Sequence, residues 1–134
     1  MKMKLLLVPA SLIIAFLFFN FQPVSHSTTV NNSEKTDLKI TEDVQKILDN
    51  SCYGCHNTNA KGDKAKKKLA FDTLDTLKLS KLVGILGDIS EEVDEDKMPP
   101  AKFLEFKPEA KLTQEQKEVL IKWADTTADT LLGE

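Results

Sequence analysis

The chain has 134 residues and a formal net charge of −3, which leaves room for one small domain behind a leader. All 18 basic residues are lysine. Bidentate guanidinium recognition of phosphate is therefore excluded, and the acidic balance argues against a nucleic-acid partner. Both cysteines, Cys52 and Cys55, stand close together and leave none for a structural disulfide elsewhere.

Lys2 and Lys4 precede a nearly continuous apolar run from Leu5 to Phe19. That run is short for a membrane span, which needs about 18 apolar residues or more. Asn20, Gln22 and Pro23 break it, and the small residues Ser25 and Ser27 follow. Residues 1–27 thus read as a secretory signal peptide, a retained anchor being the alternative. Its removal takes away two lysines and no acid, moving the formal charge from −3 to −5. The expected location is the periplasm or cell envelope, with membrane contact only through this segment if it is uncleaved. Residues 28–38 are small and polar and read as a tether, which leaves 39–134 as the folded domain.

Thr41 can cap a helix whose first turn carries Glu42 and Asp43. Val44, Ile47, Leu48 and Ser51 continue at helical spacing into Cys52. A polar loop from Asn57 to Asp63 leads to a lysine-rich stretch over 61–68. This stretch reads as a solvated loop, with a docking patch for an acidic redox partner as the second reading. Ser80 is a candidate cap for a further helix, in which Leu82, Ile85, Leu86, Ile89 and Val93 share one face. The acids from Glu91 to Asp96 oppose the helix dipole and predict an end before Asp96. Met98-Pro99-Pro100 ends regular structure, and Phe103 to Ala110 reads as extended or irregular. Thr113 and Gln116 form a capping box. Val119, Leu120, Trp123, Ala124, Thr127 and Leu131 then carry a closing helix to Gly133. No strand-like alternation appears. The expected class is all-α, with three to four short helices packed around a cofactor.

The stretch that names a chemistry is Cys52-Tyr53-Gly54-Cys55-His56. Cysteines two residues apart, followed at once by histidine, form the pattern for c-type haem attachment. Each thiol can add to one vinyl group of the porphyrin, and the histidine can ligate the iron. A thiol–disulfide centre would sit at a helix start in a βαβ setting, which this chain lacks. A structural zinc site needs four ligands, and no second Cys or His pair exists. One covalently attached haem c is therefore expected, with Cys52, Cys55 and His56 holding it.

Elimination narrows the other axial position. Met1 and Met3 leave with the signal, and His26 lies beside the cleavage region, so Met98 is the remaining ordinary candidate. A residue before proline is pushed toward extended geometry, and two successive prolines stiffen the backbone beyond it. The other reading of Met98 is a methionine filling a gap in the core. Phe103, Phe106 and Trp123 read as core aromatics beside the ring. Trp123 or Tyr53 is a candidate donor to a haem propionate.

The pentad, the Met98-Pro99-Pro100 loop and the closing helix together resemble the small haem-binding domain of exported bacterial c-type cytochromes. The likeness spans Ile47 to His56 and Lys97 to Ala124. It implies a class I cytochrome c-like fold with crossing first and last helices. By position it implies thioethers at Cys52 and Cys55, with His56 and Met98 as axial iron ligands. Where that family usually has a tryptophan- and proline-rich segment after the histidine, this chain has Ala60 to Lys68.

The functional expectation is a monohaem electron carrier serving a redox partner protein, with no catalytic residue and no enzymatic role. Two other readings stand beside it. One is a gas sensor or peroxide-reactive haem protein with a labile Met98, although the mature chain offers no distal histidine or arginine for O–O cleavage. The other is a haem subunit of a larger envelope complex.

Overall fold

The computed structural model describes Thr36 and residues 38–133. The leader over 1–27, and the tether apart from Thr36 and Leu38, lie outside the described residues. The domain is all-α. Its helices are α1 (Glu42–Ser51), α2 (Asp63–Lys68), α3 (Leu79–Asp94), α4 (Ala101–Leu104) and α5 (Gln114–Leu132). Two 3₁₀ turns, Phe71–Thr76 and Pro108–Ala110, complete the set. Among the described residues there is no strand, and no helix is long and apolar enough to cross a membrane.

The long helices form where caps and apolar stripes coincide. Thr41 accepts from the Val44 N–H at 3.4 Å and opens α1, as its sequence predicts. The Thr113–Gln116 capping box opens α5, with both reciprocal bonds present. Gly133 closes α5 at φ 80°, a left-handed conformation that suits a residue without Cβ. The predicted face of α3 (Leu82, Ile85, Leu86, Ile89 and Val93) is wholly buried. It packs mainly against α5, which also meets α1. Val44, Ile47, Leu48, Phe71, Leu74, Leu120, Trp123 and Ala124 fill the core between them.

Five helices replace the expected three to four because α2 and α4 bury no residue and so carry no apolar period. The lysine-rich stretch expected as a loop is largely α2. Asp63 sits in its first turn and Lys66, Lys67 and Lys68 in its last, both favourable to the dipole. Phe103 to Ala110, expected to be irregular, holds the end of α4 and a 3₁₀ turn. Ser80 does not cap α3. The helix begins at Leu79, two residues earlier than a Ser80 cap implies, with Lys78 at the cap position and no side-chain cap bond. Val119 is 40 % exposed and Phe106 is 80 % exposed, so neither belongs to the core.

The domain also reaches further back than residue 39. Leu38 and Ile40 pack against the core, and the Thr36 N–H donates to the Asp75 carbonyl at 3.2 Å.

Candidate functional site

Helix α1 delivers the pentad. Cys52 is its C-terminal cap, and the Cys52 N–H still donates to Leu48 O at 2.8 Å. The N–H groups of Cys55 and His56 both turn back to the Cys52 carbonyl, at 3.1 and 3.0 Å. This turn gathers Cys52, Cys55 and His56 on the lining of one cleft. The Asn57 side-chain amide donates to the Tyr53 carbonyl and ties the turn to its exit.

The segment after the pentad folds back over the histidine. The Phe71 N–H donates to the His56 carbonyl at 3.0 Å. The Phe71 ring stands edge-on to the imidazole, with centroids 6.3 Å apart and planes at 87°. The Tyr53 ring also packs on Phe71, with centroids 5.4 Å apart. The Nδ1 of His56 lies 3.2 Å from the Leu69 carbonyl oxygen. With the proton on Nδ1, that nitrogen donates to Leu69 and Nε2 keeps its lone pair for a metal.

A second tie lies just outside. Asp72 accepts from the Thr58 N–H at 3.0 Å and from the Thr58 hydroxyl. These bonds hold the Asp72 carboxyl below the usual carboxylate range.

Met98 reaches the same cleft from the far end of α3. It is half-buried, the following Pro99 is buried, and the peptide between them is cis. Leu69, Phe71, Ile85, Ile89, Val93 and Phe103 supply apolar lining, and Lys68, Asp88 and Glu92 bring charge to it. The cleft has a volume of about 280 Å³. Imidazole and thioether donors, two thiols and apolar walls in one cleft fit a haem.

Residues 61–126 match the sequence model of a family described as "Haem-binding domain". The chain carries a small haem-binding domain. Met98 falls inside the matched stretch, and so does the lysine-rich segment that departs from the expected pattern, while the pentad lies outside it, ending at His56 before the match begins at residue 61. No curated protein and no solved structure matches the chain.

The haem-binding domain thus brings all four sequence-predicted residues, Cys52, Cys55, His56 and Met98, to one cleft. Burial pushes the Cys52 thiol up to about 12, with Cys55 beside it adding to the effect. Among the described residues, no three of His, Cys, Asp and Glu cluster as a metal site.

Trp123, a candidate propionate donor, spends its indole N–H on the Lys39 carbonyl at 3.2 Å. The haem-binding domain also uses residues that sequence reasoning passed over. Leu69 contributes a backbone carbonyl, which every residue possesses, so no side-chain pattern marks it. Phe71 had a visible signal as the second apolar position after the lysine run, but only the fold places it against His56.

Proposed function

We propose that this haem protein is an exported, monohaem c-type cytochrome that carries single electrons. In this reading Cys52 and Cys55 form the thioether anchors, His56 ligates through Nε2 and Met98 through its sulfur. When bound, the haem supplies a one-electron iron couple, and a His/Met pair favours a comparatively high potential. The chain's own part would be to orient the imidazole through Leu69, exclude water with the apolar wall and offer His56 and Met98 to the iron. No side chain acts as acid, base or nucleophile. A redox protein of the periplasm or cell envelope is the partner.

One observation carries this reading. His56 and Met98, 42 positions apart in sequence (98 − 56), line the same cleft beside both cysteines. Optical spectra of the exported protein, oxidised and reduced, test it. The expected result is a low-spin c-type spectrum, a haem that resists acid–acetone extraction, and slow carbon monoxide binding to the reduced form. Rapid stoichiometric carbon monoxide binding would instead support a sensor.

A further inference from the structure

The end of α3 is built in an unusual way. Asp96 sits at φ 57°, a left-handed conformation that is uncommon for a residue other than glycine. It occupies the position just past the cap, where glycine is the common choice. The Asp96 N–H donates to Val93 O at 3.3 Å and the Lys97 N–H to Glu92 O at 2.9 Å. That pair of bonds is a Schellman closure. The same Glu92 carbonyl also accepts from the Met98 N–H at 3.1 Å. The direction in which the chain leaves α3 toward Met98 is therefore set at Asp96.

A cation from another helix meets this turn. Lys117 on α5 places Nζ 2.9 Å from Asp96 Oδ1 and 3.4 Å from the Asp94 carbonyl. Its side chain is only 12 % exposed, whereas that of Asp96 is 81 % exposed. The lysine has been drawn out of water toward the end of a helix whose last turns are crowded with acids. There it offsets both the dipole and the local negative charge. Glycine at position 96 would satisfy the backbone with less strain but would offer no carboxylate to Lys117.

We infer that Lys117 and Asp96 are a positioning pair that holds the Met98 loop against α5 and so keeps the methionine at its ligating position. The inference rests on the proposed function, because it needs Met98 to be an axial ligand. Neither residue touches the cleft. The pair acts through the two-residue path from Asp96 to Met98, and its loss loosens the loop while leaving the pentad and its histidine in place.

The test uses the haem-loaded protein and four variants, K117M, K117R, D96G and M98A. Imidazole is titrated into each oxidised protein while the methionine-to-iron charge-transfer band is followed, and urea unfolding is measured alongside. M98A loses the band. K117M and D96G keep the band but bind imidazole about tenfold more tightly, the scale of one lost charge-assisted hydrogen bond. K117R restores near-native imidazole binding. D96G retains the left-handed turn, so it reports on the ion pair even if K117M folds poorly. If K117M and D96G bind imidazole as the parent does, the pair is not positional, whatever happens to their urea midpoints. That result leaves Met98 ligation standing so long as M98A loses the band. If M98A keeps the band, the ligand assignment and the inference both fail.

Discussion

His56 Nδ1 stands 3.2 Å from the carbonyl oxygen of Leu69, and the backbone returns the contact two residues later, where the Phe71 N–H bonds the His56 carbonyl. The imidazole is thus held by its ring and by its peptide from one short segment. Such outer-shell bonds fix tautomer and ring orientation and raise the basicity of the ligating nitrogen.

Phe71 is the structural keystone of that segment, 6 % exposed and packed against both Tyr53 and His56. Phe71→Ala is expected to cost about 3–5 kcal/mol, the range for removing a buried aromatic. Phe71→Leu, nearer in volume, should cost less than about 2 kcal/mol. Urea unfolding of the haem-loaded proteins measures both, and the alanine variant should also show the greater disturbance of the haem spectrum.

The proposed thioether anchoring by Cys52 and Cys55 is tested by mass and by gel. The double variant C52A/C55A should migrate on a denaturing gel without haem stain, because His56 and Met98 alone do not survive denaturation. Each single variant should retain stain through its remaining thioether. Intact mass of the parent should exceed the polypeptide by one haem. A stain-free parent would remove the c-type assignment.

Much of the fold and site is legible in the residues themselves. Thr41, the Thr113–Gln116 box and the α3 stripe depend on local chemistry and period, and each stands where its sequence places it. The meeting of Met98 with the pentad is legible by elimination, because the chain has so few iron-ligating side chains. What escapes is non-local or non-periodic. Helices α2 and α4 bury nothing, so they write no apolar repeat. The Leu69 carbonyl is invisible to any side-chain pattern. The Lys117–Asp96 contact joins residues 21 apart, and only the packing of α5 on α3 brings them together.

Asp72 predicts an acid-sensitive loop. Its carboxyl is held low by the Thr58 hydroxyl and N–H, below the ordinary value of 3.8. A group whose folded pKa is depressed contributes stability that is complete above the unfolded value. That contribution fades as pH falls through the folded value. Asp72→Asn should therefore lower stability near neutral pH and converge with the parent at strongly acid pH. Unfolding midpoints measured from about pH 7 down to about pH 1.5 check the convergence. Because Asp72 is exposed, the neutral-pH difference should be small. Parallel curves that never meet would mean that the carboxylate charge plays no part.

Two aromatic side chains of the C-terminal half should behave in opposite ways. Trp123 is 7 % exposed and its indole N–H bonds the Lys39 carbonyl, fastening the approach to α1 onto α5. Trp123→Phe keeps much of the ring and loses that bond, at an expected cost of about 1–2 kcal/mol. Trp123→Ala also opens a cavity and should cost about 3–5 kcal/mol. Phe106 is 80 % exposed, so Phe106→Ser should shift stability by no more than about 0.5 kcal/mol. Urea midpoints rank the three variants. The haem spectrum of Trp123→Phe should match the parent's, because the indole is committed to the backbone rather than to a propionate. A propionate-linked change in the pH dependence of its potential would return Trp123 to the haem edge.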